Sequence, residues 1–179
     1  MSEGVEQIYN SINLLDPAIP RFTDKSLENV LFIEQLLAVF PKAKIVYCER
    51  DPVTSIVSIM RNFMSQLAWA HSLDNILRYF DLCFKAIDKW RTEFPEQIHT
   101  VRYEEMINDP EACSKALFEF CEIEWTPACL DFHKNRQNIS RTSSNLQIRQ
   151  GVNREGLRSF PELKEYFESY LDRYSWLKF

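Results

Sequence analysis

The stretch at residues 43–52 decides the fold: Ala43-Lys44-Ile45-Val46-Tyr47-Cys48-Glu49-Arg50-Asp51-Pro52. Its first six residues form a short, nearly continuous apolar run, which is typical of strands buried on both faces of a parallel sheet. The run ends in charged residues, and Pro52 suits the first turn of a helix that Asp51 can cap. The stretch therefore predicts a strand that passes directly into a helix, with Arg50 at the junction.

Helical and strand patterns alternate along the rest of the chain. Ser26 can cap a helix that Pro41 ends, and a second strand is predicted at residues 98–102. Asp109 and Pro110 open a further helix. A long amphipathic helix begins near Asp74, and its buried face is predicted to carry Ile76, Leu77, Phe80, Phe84, Ile87 and Trp90. This order favours an α/β fold with parallel strands, flanking helices and a helix-rich second half.

Composition limits the function classes. The 179 residues have room for one domain, and we expect a lead-in segment at 1–24 followed by the domain at 25–179. The net charge of −5 provides no global field for binding nucleic acid or an anionic membrane. No stretch approaches the roughly 18 apolar residues of a spanning helix, so we expect a soluble, cytoplasmic protein. Five cysteines without a C-x-x-C pair favour small buried thiols over disulfides or a zinc site.

Arg50 marks the first candidate site. It lies at the carboxyl end of the first predicted strand, which is where open α/β sheets bind their ligands. An arginine beside a helix amino terminus can make a two-pronged contact with a phosphate group. The alternative is a surface ion pair with Glu49 or Asp51. The following helix carries a polar stripe that is either part of this site or a solvated face, formed by Thr54, Ser58, Arg61 and Ser65.

A second cationic cluster lies in a polar stretch at residues 134–159. Its arginines are interspersed with serine and threonine hydroxyls, a combination that suits phosphate and sulfate recognition. The alternative is a disordered basic loop. The four arginines are Arg141, Arg149, Arg154 and Arg158.

Six sequence blocks follow one another along the chain: Thr23-Asp24-Lys25-Ser26-Leu27-Glu28-Asn29, Phe40 to Pro52 with Ser58, Val101-Arg102-Tyr103-Glu104-Glu105, Pro127 to His133, Arg141-Thr142-Ser143 and Gln147-Ile148-Arg149-Gln150. In this order they resemble the sulfotransferase family that uses 3′-phosphoadenosine 5′-phosphosulfate (PAPS). The resemblance covers roughly residues 20–160 and is closest to bacterial enzymes, often fused to tetratricopeptide repeats, that are similar to tyrosylprotein sulfotransferases. It implies a P-loop-like sulfotransferase domain that transfers a sulfuryl group from PAPS to a hydroxyl or amine acceptor, without a metal.

The resemblance also implies roles for individual residues. Arg50 and Ser58 match the residues that hold the cofactor 3′-phosphate, and Tyr103 matches a tyrosine near the nucleotide. Lys25 matches a catalytic lysine near the sulfonate, where an ammonium would neutralise charge on the leaving oxygen. The alternative for Lys25 is an exposed lysine at a helix start. The residues of the late loop that would close over the cofactor are Ser143, Arg149 and Arg158.

The chain departs from the family pattern at its amino end. Three scattered glycines, Gly4, Gly151 and Gly156, allow no glycine-rich phosphate loop, which also rules out a nucleotide kinase. We therefore expect an amino-terminally truncated domain that lacks the first strand, the phosphate loop and the catalytic base.

Two further questions stay open. The candidate bases that remain are His71, His99 and His133. The alternative function is a non-catalytic nucleotide-binding remnant or subunit that pairs with a separate chain carrying the phosphate loop. Peptide tyrosine, carbohydrate and small-molecule acceptors all stay open.

Overall fold

The structure is a computed structural model that describes residues 21, 23–62, 64, 67–134 and 157–179. The chain divides into two compact units, Met1–Ala43 and Lys44–Phe179. The lead-in expected at residues 1–24 lies almost entirely outside the described residues, so that division stays a prediction.

The first unit contains two short helical segments where the sequence predicts one helix. A 3₁₀ helix spans Leu27–Leu31 and helix α1 spans Ile33–Val39. The single-helix prediction is wrong because Phe32 has non-helical backbone angles between them. The Ser26 hydroxyl does not cap the first segment; it donates to Asp24 Oδ1 at 2.8 Å. Further hydrogen bonds from Asn29 and from the Ser26 backbone lower the pKa of the Asp24 carboxyl.

The second unit begins with the strand and helix that the decisive stretch predicts. Strand β1 spans Ile45–Glu49 and helix α2 spans Pro52–Asn62. After a 3₁₀ helix at Ala68–His71, helix α3 spans Leu73–Glu93, and a 3₁₀ helix at Pro95–Gln97 leads into strand β2 at Ile98–Arg102. The strands pair in parallel, from Ile45 opposite Ile98 to Glu49 opposite Arg102. The predicted parallel sheet, the second strand and the long helix are therefore confirmed.

The burial predicted for β1 is wrong. Its side chains alternate between half-buried and exposed, and Val46 is 37% exposed. Successive side chains of a strand point to opposite faces of the sheet. Helix α3 covers the face that carries Tyr47 and Glu49, whereas Val46 and Cys48 lie on the other face. All five cysteines are free thiols, as expected, but none of them is fully buried. Cys48 is exposed and the other four are half-buried.

The helices after β2 complete the second unit. Helix α4 spans Tyr103–Asn108 and helix α5 spans Pro110–Phe120, where Asp109 Oδ1 accepts from the Ala112 N–H at 2.9 Å as the predicted cap. 3₁₀ helices follow at Pro127–Lys134 and Pro161–Leu163, and helix α6 spans Lys164–Leu171. Within the described ranges, no helix combines the length and the apolar character needed to span a bilayer.

The hydrophobic core of the second unit joins α2 and α3 to the carboxyl-terminal segment. Ile76 and Leu77 of α3 are fully buried, as the helical spacing predicts, whereas Phe80 packs at the edge of the core. The carboxyl-terminal segment packs against both helices in this core. The buried members of this core are Val53, Ile56, Ile76, Leu77, Phe167, Tyr174 and Leu177.

Candidate functional site

The register of the sheet brings two predicted site residues together. Glu49, the last residue of β1, pairs with Arg102, the last residue of β2. Arg50 and Tyr103 directly follow these residues, so they leave the sheet at the same carboxyl edge. This edge is where parallel sheets bind ligands, because the loops that leave it can approach one ligand from two sides.

Arg50 and Tyr103 contact each other there. The Arg50 guanidinium carbon lies 4.7 Å from the centroid of the Tyr103 ring. Both side chains are half-buried. A guanidinium over an aromatic face is attracted by the negative face of the ring and loses conformational freedom. The contact holds the arginine fork in place while both side chains keep part of their surface open to solvent.

The carboxylates on either side of Arg50 are engaged by other groups. Glu49 Oε2 lies 3.2 Å from Arg91 Nη2 and 3.8 Å from Arg102 Nε. Asp51 Oδ1 accepts from the N–H and the hydroxyl of Thr54, at 2.7 and 2.6 Å. Asp51 therefore caps helix α2, as predicted. Glu49 and Asp51, the two acidic residues that the sequence suggests as ion-pair partners of Arg50, therefore both have other partners in the structure.

Arg91 joins helix α3 to this edge of the sheet. Its Nη2 also donates to Thr100 Oγ1 at 2.7 Å, and its guanidinium carbon lies 5.1 Å from the Tyr47 ring centroid. Burial of Tyr47, with a smaller contribution from the charge of Glu49, raises the pKa of its phenol to about 12. Tyr47 is therefore a neutral packing partner, and Arg91 ties the end of β1 and the middle of β2 to helix α3.

The polar stripe of helix α2 begins in the interior of the molecule. Thr54 is only 6% exposed, and its hydroxyl lies 3.1 Å from the Arg158 carbonyl oxygen in addition to its contact with Asp51. The single hydroxyl proton is shared between these two acceptors. Ser58, one turn further, is half-buried and accepts from Asn62 Nδ2 at 3.2 Å through its Oγ. The alternative of a solvated face is therefore wrong at Thr54, because the chain segment at Arg158 covers it.

A cavity of about 300 Å³ lies beside the start of helix α2. Its lining combines carboxylates, cations and aromatic rings, and Glu104 reaches it from the first turn of α4. The Arg158 guanidinium carbon lies 5.4 Å from the Phe160 ring centroid. The lining residues that matter here are Asp51, Thr54, Glu104, Arg158, Phe160 and Lys178.

The predicted site residues do not all lie in the same part of the structure. Arg50 and Tyr103 are in contact, and Ser58 and Arg158 lie in the same unit, with the Arg158 backbone at Thr54. Lys25 is exposed and belongs to the first unit. Ser143 and Arg149 lie outside the described residues, as does Ser65 of the stripe. The roles of all of these residues stay predictions.

Two residues of this region were assigned no role from the sequence. Glu104 Oε1 accepts from the Asp51 N–H at 2.9 Å, across 53 positions. Its only sequence signal is its place directly after Tyr103 in the V-R-Y-E-E block. Lys178 lines the cavity from the carboxyl-terminal segment, and no pattern in the sequence marks it.

The three histidines occupy separate places in the second unit. His71 is exposed, and His99 stacks on Phe120 with ring centroids 5.1 Å apart. His133 Nδ1 is buried and has no hydrogen-bond partner among the described residues. No cluster of three or more His, Cys, Asp and Glu residues suited to a metal ion occurs in the described part of the chain.

Comparisons with known proteins give a family model, a curated relative and a solved structure with a similar fold. The model of the sulfotransferase family matches residues 2–127. An uncharacterized protein of Aquifex aeolicus is 26% identical over 170 residues, an alignment that covers 93% of this chain and 22% of that protein. The sulfotransferase domain from the curacin biosynthetic pathway has a TM-score of 0.61 at 21% identity, over 82% of this chain and 53% of that one. The likeness shows a shared α/β fold, and this chain spans about half of that solved chain and about a fifth of the curated relative.

Proposed function

Because this chain belongs to the sulfotransferase family, we propose that its second unit binds the 3′-phosphate side of PAPS for transfer of a sulfuryl group to a hydroxyl or amine acceptor. The observation that carries the proposal is the contact between Arg50 and Tyr103 at the carboxyl edge of the parallel sheet. The pair supplies a fixed cation and an aromatic surface at the place where such sheets bind nucleotides.

Arg50 is the proposed ligand of the 3′-phosphate. Its planar fork can donate two parallel hydrogen bonds to phosphate oxygens, which suits it better than a lysine for this contact. It lies directly before the amino end of helix α2, whose dipole also favours a negative group. Ser58 would add a neutral hydroxyl donor from the same helix.

The remaining cofactor contacts follow from the same placement. Tyr103 keeps part of its surface open to solvent beside Arg50, which suits a position next to the nucleoside. Arg158 lies close to the start of α2 and would bring a second cation toward the phosphates. Ser143 and Arg149 would close over the nucleotide from the late loop.

When bound, PAPS would supply an activated sulfuryl group for transfer to the acceptor oxygen or nitrogen from its 5′-phosphate oxygen. The proposed role of Lys25 is to stabilise the negative charge left on that oxygen. The acceptor would release its proton to a general base. Arg50 and Ser58 would hold the product nucleotide by the same contacts that hold PAPS.

Calorimetric titration tests the proposal on the 179-residue chain. The ligand is 3′-phosphoadenosine 5′-phosphate, and the controls are 5′-AMP, which lacks the second phosphate, and adenosine 2′,5′-bisphosphate, which carries the same charge at another position. A 3′-phosphate site predicts binding about tenfold or more tighter than either control. Equal affinities for the two bisphosphates would show that charge alone attracts the nucleotide and would overturn the proposed site.

A further inference from the structure

We propose that Glu104 is a positioning residue that holds Arg50 in its phosphate-binding orientation through the backbone of Asp51. The proposal rests on the proposed function in one respect, because it assigns Arg50 to the phosphate. Its structural basis is independent of that assignment: Glu104 Oε1 accepts from the Asp51 N–H at 2.9 Å.

Glu104 completes a helix cap that is only half built within helix α2. In a capping box, the cap side chain accepts from an N–H of the first turn, and a Glu or Gln three residues later accepts from the cap's own N–H. Asp51 provides the first half, by accepting from the Thr54 N–H. The third residue after Asp51 is Thr54 itself, which is too short for the reciprocal contact. Glu104 supplies that contact from helix α4.

This hydrogen bond acts directly on Arg50. The Asp51 N–H and the Arg50 carbonyl belong to the same planar peptide group. When Glu104 fixes that plane, it fixes the backbone direction in which Arg50 leaves β1. Glu104 also directly follows Tyr103, so neighbouring residues of α4 hold the backbone and the side chain of the same arginine.

Because Glu104 is negatively charged, a positioning role and a purely electrostatic role predict opposite effects on nucleotide binding. A carboxylate near a bound phosphate repels it, so removing the charge would by itself strengthen nucleotide binding. A positioning role predicts the opposite effect when the hydrogen bond is removed. It also predicts that a neutral acceptor of the same shape is sufficient.

Two nearly isosteric variants separate these effects. Glu104→Met keeps the packing of the side-chain stem without a carboxylate acceptor, and Glu104→Gln keeps an oxygen acceptor without the charge. We expect Glu104→Met to weaken 3′-phosphoadenosine 5′-phosphate binding about fivefold to tenfold and Glu104→Gln to stay within about twofold of wild type. The matched control is Glu105→Ala, which removes a charge one position further along, where Glu105 pairs with Arg102 at 3.3 Å. Wild-type or tighter binding by Glu104→Met, or an equal loss in Glu105→Ala, would overturn the positioning role.

A second measurement applies even if the wild-type chain shows no 3′-phosphate-dependent binding, a result that would refute the proposed function alone. We expect the Tyr103 ring to shift the NMR resonances of the Arg50 guanidinium group, whose carbon lies 4.7 Å from the ring centroid. We expect this shift, and the hydrogen-exchange protection of the Asp51 amide, to be lost in Glu104→Met and retained in Glu104→Gln and Glu105→Ala. An unchanged Arg50 resonance in folded Glu104→Met would show that Glu104 does not position the arginine.

Discussion

The Arg50 guanidinium carbon lies 4.7 Å from the centroid of the Tyr103 ring, although one residue follows β1 and the other follows β2. The parallel register explains the contact, because Glu49 pairs with Arg102 and each chain then turns into a helix. The cation and the ring are therefore held by the sheet, and a change in either residue acts on the other.

The first prediction concerns the ring. Tyr103→Leu removes the aromatic face under Arg50, and we expect it to weaken 3′-phosphoadenosine 5′-phosphate binding about threefold to tenfold. Tyr103→Phe keeps the face and should remain within about twofold of wild type. Calorimetry on the three proteins checks this. If Tyr103→Phe loses as much affinity as Tyr103→Leu, the hydroxyl and not the aromatic ring contributes to nucleotide binding.

The second prediction concerns the cation. Arg50→Ala should weaken 3′-phosphoadenosine 5′-phosphate binding by about tenfold or more and leave 5′-AMP binding little changed, because only the first ligand carries the 3′-phosphate. Arg50→Lys keeps the charge without the planar fork and should give an intermediate loss. Arg78→Ala, which removes an exposed arginine of helix α3, is the charge-matched control. Equal losses for both nucleotides would remove Arg50 from the phosphate site.

The third prediction tests the buried threonine at the start of helix α2. Thr54→Val preserves shape but removes the hydroxyl that contacts Asp51 Oδ1 and the Arg158 carbonyl. We expect the free energy of unfolding to fall by about 1–3 kcal/mol, since Asp51 Oδ1 and the Arg158 carbonyl each lose a donor in part-buried hydrogen bonds. Thr54→Ser keeps the hydroxyl and should retain most of the wild-type free energy of unfolding. In urea unfolding, the control is Thr92→Val on exposed helix surface, and the same small change in both valine variants would contradict the prediction.

The fourth prediction is a pH dependence. Burial raises the pKa of Tyr47 from 10.0 to about 12, so the folded state favours the protonated phenol. The stabilisation is complete below the unfolded pKa and is lost as pH rises through the folded pKa, because the unfolded chain releases its proton first. Between about pH 10 and pH 12, the wild type should therefore lose stability faster than Tyr47→Phe. If the free energies of unfolding of wild type and Tyr47→Phe fall equally over this pH interval, Tyr47 is not buried as described.

The fifth prediction tests the core that holds helix α2 in place. Ile56 is 0% exposed, and Ile56→Ala should lower the free energy of unfolding by about 2–5 kcal/mol. Met60 on the same helix is 52% exposed, and Met60→Ala should cost about 0.5 kcal/mol or less. Chemical denaturation of both variants measures the difference. Similar losses would contradict the core assignment.

Local chemistry made much of the fold predictable. Asp51 caps helix α2 with its side chain, and the ring of Pro52 fixes the backbone of the first turn. The start of this helix could therefore be predicted without any distant residue. The period of apolar residues in α3 likewise identifies its buried face. Arg50 was found in the same way, because a charged residue directly after an apolar strand is a local signal.

Three features that the sequence did not reveal depend on what other segments do. The apolar run of β1 does not reveal which elements cover its two faces, and Cys48 lies on the exposed one. The burial of Thr54 depends on the carbonyl of Arg158, 104 positions away. Glu104 contributes by accepting one backbone N–H, and any glutamate at a helix start has the same local pattern.

The parallel pairing of β1 with β2 has a consequence for how the candidate site comes into being. Closing a chain loop of 53 residues, the span between Asp51 and Glu104, costs about 3.5 kcal/mol of conformational entropy. The pairing of β1 with β2 closes a loop of the same length, so Arg50 and Tyr103 meet only once that cost has been met. A fragment that ends before residue 98 would contain Arg50 and all of α2 and α3, yet it would have no ring or carboxylate to hold the arginine in place.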